Sequence, residues 1–300
     1  GAVTVSDPAA RAPERRRVRA HFDRAAPRYA AQAVLQREVR DRLHERLEYF
    51  RLAPKRILDL GAGPAASAPA LSARYPKAQY LALDLSLAML AQRPAPRWPW
   101  HRRRAVPVCA DMHALPLADA SIDLVVSSLA LQWSGDPEPV FAECARVLRP
   151  GGLMLFSSLG PDTLQELRAA LGPDAPVNTF LDMHDVGDAM IRAGLGAPVL
   201  DVEHLTLCYD DARSVMRDLK AIGASYAGPP RRSGLTGRSW LAAVETRYER
   251  FRRDGRLPAT FEVVYGHGFR PERGERPQDG TTVPGGAVAH FPADRIARRG

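Results

Sequence analysis

Five short apolar runs recur between residues 56 and 157, and the stretches between them carry their apolar residues at helical spacing. The runs are Ile57–Leu60, Gln79–Asp84, Val106–Ala110, Ile122–Leu131 and Leu153–Ser157. Near-continuous hydrophobicity over a short run suits a strand buried on both faces. Residues 65–75 and 137–148 read as helices between such strands. Ahead of them, Leu35, Val39, Leu43, Leu47 and Phe50 fall on one helical face, so a helix delivers the chain to the first strand. Strands alternating with helices predict a doubly wound α/β fold with a parallel sheet. Arg149-Pro150-Gly151-Gly152 reads as a sharp stop and turn before the fifth strand.

The second half is less regular. Residues 161–171, 183–195, 211–222 and 238–253 have helical character, and 198–209 and 260–265 have strand character. Residues 1–17 are rich in Ala, Pro and Arg, and residues 271–300 in Gly, Pro and charge, so both ends are expected to be disordered or mobile. Trp98-Pro99-Trp100-His101-Arg102-Arg103-Arg104 mixes aromatics with basic residues, but two prolines make it read as a surface loop rather than a nucleic-acid contact.

Composition narrows the class without naming a function. The chain has 300 residues, 45% of them hydrophobic, enough for a substantial core. No run approaches the ~18 apolar residues of a membrane span. The three cysteines are far apart and form no metal or disulfide pattern, so each is expected to be a small buried hydrophobe in a reducing cytoplasm. The histidines show no metal-ligand spacing, and no metal is expected. A net charge of +8 favours an acidic partner, although an arginine-rich surface alone accounts for it.

Candidate chemistry gathers where the strands end. Asp59 closes the first strand, and Gly61 and Gly63 follow it, a turn that lets a ligand approach bare backbone. Asp84 closes the second strand about 20 residues further on, the spacing of an acid that accepts hydrogen bonds from a ribose diol. Asp84 also precedes a helix and could serve only as a cap. Asp111 and Met112 close the third strand, an acid for a purine amine beside a side chain for its ring.

Together, Asp59-Leu60-Gly61-Ala62-Gly63, Asp84, Asp111-Met112 and Leu148-Arg149-Pro150-Gly151-Gly152 resemble the class I S-adenosylmethionine-dependent methyltransferases. The resemblance implies a seven-stranded, mostly parallel sheet with an antiparallel last strand, here residues 260–265. It also implies S-adenosylmethionine as cofactor, released as S-adenosylhomocysteine, with Asp59, Gly61, Gly63, Asp84, Leu85, Asp111, Met112 and Ser127 around it. A closer resemblance runs from residue 18 to 270. It includes Arg19-x-x-Phe22-x-x-Ala25-Ala26-x-x-Tyr29, Leu131-Gln132-Trp133, Gly160-Pro161-Asp162-Thr163-Leu164 and Asp218-Leu219-Lys220-Ala221-Ile222. These are similar to the malonyl-acyl-carrier-protein O-methyltransferases of biotin synthesis. The family divides such a chain into N-terminal lid helices (18–50), a cofactor core (51–160) and substrate-side helices with the last strands (161–270).

That resemblance implies methylation of the free carboxylate of malonyl-acyl carrier protein by a monomeric cytoplasmic enzyme, without nucleic acid or membrane. A malonyl carboxylate is already ionised near neutral pH, so alignment rather than a strong base is required. Tyr29 is then the lid candidate, Trp133 the pocket wall and Lys220 the counter-ion, with Arg19, Arg217 and Arg238 as rivals. Other readings stay open: a methyltransferase for a quinone-type precursor, a relative acting on a protein arginine in respiratory-complex assembly, or a binding module without catalysis. One departure bears on the last. Ala65 stands where the family's turn carries a third glycine, a change tolerable at negative φ.

Overall fold

The computed structural model describes residues 34–93, 105–172, 180, 182–216 and 236–272. Seven strands form one sheet: β1 (Arg56–Leu60), β2 (Gln79–Asp84), β3 (Val106–Cys109), β4 (Ile122–Ser128), β5 (Leu148–Leu159), β6 (Gly196–Tyr209) and β7 (Leu257–Phe269). Their spatial order is β3-β2-β1-β4-β5-β7-β6. The first five strands pair in parallel, and β7 runs antiparallel to both β5 and β6. The order reverses at β1, between β2 and β4, which is where a crevice opens at the strands' C-terminal ends in a doubly wound sheet.

Helices cover both faces: α1 (Val34–Glu45), α2 (Ala68–Arg74), α3 (Leu87–Ala91), α4 (Glu138–Val147), α5 (Gln165–Leu171), α6 (Met183–Arg192) and α7 (Thr236–Glu249). The predicted apolar face of α1 is the one it buries. Leu35, Val39 and Leu43, with Leu47 in the 3-10 turn that follows, are all at most 1% exposed. This helix lies against β4 and β5. Its C-terminal end is tied to β6 by Arg42, 3.1 Å from Glu203, and Arg46, 2.9 Å from Asp201. The Arg46 guanidinium also stacks 3.7 Å from the centroid of the Tyr265 ring. On the opposite face α4 buries Val140, Phe141, Cys144 and Val147, with the Phe141 and Phe156 rings 5.5 Å apart.

Several expectations meet different outcomes. The fourth strand stops at Ser128 because Leu129 adopts φ +49°, which turns the chain out of the sheet into a 3-10 turn, Leu131–Trp133. The Arg149–Gly152 segment is not a loop ahead of the strand but a bulged start of β5. Gly151, at φ +76°, donates to Arg270 O, and Arg270 N donates to Gly152 O. The last strand reaches well beyond 260–265 in both directions. Of the cysteines, Cys144 is buried as expected, but Cys109 and Cys208 are exposed, each on an edge strand. Among the described residues no helix is long and apolar enough to cross a membrane. Expectations for residues 1–33, the basic loop at 98–104, Lys220 and the tail from 273 fall outside the described residues.

Candidate active site

The Gly61–Gly63 turn owes its shape to the second strand. Gly61 N and Ala62 N both donate to Leu83 O, at 2.8 and 2.9 Å, so the turn bends over the end of β2. Gly61 and Gly63 sit at φ +73° and +53°, in the left-handed region that favours glycine. At Gly61 there is a second requirement: a Cβ would lie 2.3 Å from Cβ of Ala130, just beyond β4. The missing side chain thus lets the β1 and β4 loops meet, as well as leaving backbone bare on the crevice side.

Asp84 joins this turn to α3. Its Oδ2 accepts from Gly63 N and its Oδ1 from Ser86 N, both at 2.8 Å. Ser86 in turn caps α3 by accepting from Met89 N. The two readings of Asp84, ligand acid and cap, therefore converge on one carboxylate fixed at the tip of β2. Leu85 beside it is half-buried.

Asp59 and Ser127 occupy a different layer. Asp59 is 3% exposed, and its carboxyl receives the hydroxyl of Tyr80. Burial, reinforced by the nearby charge of Asp84 and opposed by the Tyr80 bond, pushes Asp59 up to about 7. Ser127 is fully buried and donates to Leu60 O at 2.9 Å. Both were expected around the cofactor. In the structure both side chains point into the sheet, Asp59 meeting the Tyr80 hydroxyl and Ser127 the carbonyl that precedes the turn.

Asp111 and Met112 lie at the end of β3, on the other side of the glycine turn. Met112 packs into the cluster beneath β1 and β4, and its Cε comes within 4.0 Å of where a Gly61 Cβ would be. Asp111 Oδ1 accepts from His113 N at 2.9 Å and faces His113 Nδ1 at 2.7 Å. Trp133 is half-buried at the end of the 3-10 turn beyond β4, on the crevice side of the sheet. Tyr29, Lys220, Arg19 and Arg217 are outside the described residues, and Arg238 lies in α7.

Three contributors were missed from sequence. Tyr80 is legible in hindsight as a buried strand tyrosine whose hydroxyl needs a partner. His113 follows the purine acid by two residues, but nothing in its spacing shows what its far side meets. Gln132 donates from Nε2 to Leu129 O at 2.8 Å, while its buried Oε1 has no partner. Separately, strand pairing brings His204 of β6 opposite Glu262 of β7, with Asp162 beside them, ligand atoms within 4.8 Å of one another. Sequence spacing cannot reveal that grouping.

The site fits S-adenosylmethionine in kind. A glycine turn leaves backbone bare, one fixed acid stands at the tip of β2, and an acid with a thioether stands at β3, groups whose chemistry suits a ribose and a purine. Gln132 adds an unspent acceptor near the same edge. Comparison with known proteins agrees. A methyltransferase-domain family model matches residues 58–156, from within β1 to within β5. In solved structures, the YcgJ protein from Bacillus subtilis superposes with a TM-score of 0.55 at 17% identity, covering 79% of this chain and 99% of that one, which supports the fold. Curated relatives are far closer in sequence. The malonyl-acyl-carrier-protein O-methyltransferase of Methylovorus sp. (strain MP688) is 54% identical over 86% of this chain and 90% of its own length. That of Laribacter hongkongensis (strain HLHK9) is 53% identical with the same coverage. With the strands and glycine turn of this fold in place and more than half of the residues identical over 86% of the chain, the chain belongs to the malonyl-acyl-carrier-protein O-methyltransferase family.

Proposed function

We propose that this protein methylates the free carboxylate of malonyl-acyl carrier protein, giving the malonyl methyl ester. The carrying observation is the 54% identity to a malonyl-acyl-carrier-protein O-methyltransferase across 86% of this chain and 90% of that one. Bound S-adenosylmethionine supplies an electrophilic methyl on a sulfonium, which leaves as S-adenosylhomocysteine when a carboxylate oxygen takes the methyl.

The chain's own residues then orient rather than activate. Asp84, held by Gly63 N and Ser86 N, presents an acceptor for the ribose hydroxyls. Asp111 and Met112 take the adenine, and Trp133 lines the acceptor side. No general base is needed, because the nucleophile is ionised near neutral pH. Alignment can supply on the order of 7–11 kcal/mol of such a barrier. Tyr29 as lid and Lys220 as counter-ion belong to this proposal and rest on the sequence alone. So does the setting, a monomer in the cytoplasm acting without membrane or nucleic acid.

The decisive assay offers malonyl-acyl carrier protein and malonyl-coenzyme A side by side, following ester and S-adenosylhomocysteine together. The expected result is stoichiometric formation of both from the carrier-bound substrate. Failure to methylate either thioester, with cofactor bound, removes the proposed acceptor.

A further inference from the structure

His113 bridges two loops of the site. Its ring is 9% exposed, and both nitrogens face acceptors: Nδ1 is 2.7 Å from Asp111 Oδ1 and Nε2 is 3.1 Å from Ser134 O. Its own backbone N–H donates to the same Asp111 oxygen. The far end of the bridge is equally committed. Ser134 is buried, its N–H and hydroxyl both reach Leu131 O, and so the carbonyl facing His113 belongs to the turn that carries Trp133. The imidazole therefore lies between the Asp111 carboxylate and the β4 turn, within hydrogen-bonding distance of both.

We infer that His113 is a positioning residue that sets the Asp111 carboxylate to read the exocyclic amine of the cofactor's adenine, and ties that reading to the Trp133 turn. An ionised carboxylate only accepts hydrogen bonds and so favours an amine over a carbonyl, and the preference is largest when its acceptor lobe is held in place. The backbone N–H of His113 and, in the tautomer with its proton on Nδ1, the ring of the same residue both donate to one oxygen and hold it. The inference rests on the S-adenosylmethionine reading of the site.

The test measures binding rather than turnover. Calorimetry on the full chain compares S-adenosylhomocysteine with S-inosylhomocysteine, which carries a 6-oxo group in place of the amine. Wild type favours the adenosyl ligand. His113→Phe keeps a ring but removes both ring nitrogens, and its preference for the adenosyl ligand should fall by about tenfold or more. His113→Asn places an amide near Nδ1 and should keep the ratio within about threefold of wild type, because the Asp111 bond is restored. His113→Gln reaches toward Ser134 instead and should behave like phenylalanine. If the phenylalanine chain does not fold, the asparagine–glutamine pair gives the same reading.

Equal weakening of both ligands by His113→Phe or His113→Gln, with the ratio unchanged, overturns the proposal, since a merely structural role predicts that result. Asp111→Asn separates the levels. If it abolishes the preference while His113→Phe and His113→Gln leave it intact, only His113 loses its role. If wild type binds neither ligand, the cofactor reading falls, and this proposal with it.

Discussion

The two sides of the sheet end in different ways. On the parallel side β3, β2, β1 and β4 are 4 to 7 residues long, and each stops at a loop carrying a site residue. On the antiparallel side β6 and β7 are 14 and 13 residues long and pair along almost their whole length. Short strands with aligned C-terminal ends leave a crevice at those ends, whereas the ribbon pairs along its length and its hollows lie on its faces, one of them lined by Arg46, Phe50, Tyr265 and His267. Both sides use glycine, for different reasons. Gly61 and Gly63 take left-handed φ to form a turn, while Gly266 and Gly268 lie inside a strand where there is no room for a side chain. The candidate cofactor residues gather on the side with free strand ends, and the ribbon is expected to act as scaffold toward them.

Adding one methyl to each side tests this division most severely. In Gly61→Ala the new Cβ lies 2.3 Å from the Ala130 Cβ, at φ +73°. Left-handed strain of about 1–2 kcal/mol adds to that overlap, so cofactor affinity should fall by well over tenfold. In Gly266→Ala the Cβ lies 2.3 Å from Cζ of Phe156 and 2.8 Å from Cδ2 of Leu200. That change should lower stability by about 1–3 kcal/mol, with cofactor affinity of the folded fraction held within about threefold. Calorimetry and thermal melts on both variants read the two effects. If Gly266→Ala weakens cofactor binding as much as Gly61→Ala does, the ribbon is not merely scaffold.

Exchanging one acid on each side sharpens the contrast. Asp84→Ala removes the acceptor of two backbone N–H groups and, with it, the proposed ribose contact, and should weaken S-adenosylhomocysteine binding more than about tenfold. Glu166 has a similar structural office on the other side, accepting from Thr260 N at 3.1 Å and from Thr260 Oγ1 at 2.5 Å. Glu166→Gln should reduce the melting temperature and leave the binding constant in place. Unchanged affinity in Asp84→Ala would remove Asp84 from the ribose site.

The two sides should also respond oppositely to pH. Asp59 is raised from 3.8 to about 7 by burial, so the folded state holds its proton more tightly than the unfolded chain. Its contribution is complete below about pH 4 and is lost as pH rises through about 7. His267 on β7 is lowered from 6.5 to about 4 by burial. Its contribution is complete above about pH 6.5 and is lost as pH falls through about 4, a direction His44 on α1 shares. Melting curves from pH 4 to 8 should show Asp59→Asn flattening the loss on the alkaline side and His267→Phe part of the loss on the acid side. Parallel pH profiles for the two variants would contradict these assignments.

How much of this was readable beforehand follows the same division. The parallel strands and their end residues were legible because a buried strand is a plain apolar run and a glycine turn between acids is distinctive. The extent of β7 was not. Gly266, Gly268 and Pro258 read as breakers, yet each has a place: Gly266 admits Phe156, Gly268 admits Met190, and Pro258 O accepts from the Tyr248 hydroxyl. Local signals cannot show what packs across from a glycine. The commitment of Asp59 to Tyr80 and of Ser127 to Leu60 O was hidden for the same reason, since both depend on register between strands distant in sequence. His113 required knowing that the turn after β4 lies above β3.

Ala65 yields the smallest expected effect. The condition set for tolerating a methyl there, negative φ, is not met: Ala65 sits at φ +56° and is fully buried. Glycine would relieve left-handed strain of about 1–2 kcal/mol. Against this stand the extra freedom glycine gives the unfolded chain, about 0.4–1 kcal/mol, and the lost burial of one methyl, about 0.8 kcal/mol. These terms nearly cancel, so Ala65→Gly should shift the melting temperature by no more than a few degrees. Cofactor affinity should also change little, because Ala65 N is already bonded to Ala62 O at 2.9 Å and the turn is closed without the third glycine. A large gain in affinity on restoring glycine would mean that the methyl reaches the cofactor and is not confined to the core beneath the turn, and the boundary drawn between the crevice layer and its supports would move outward by one residue.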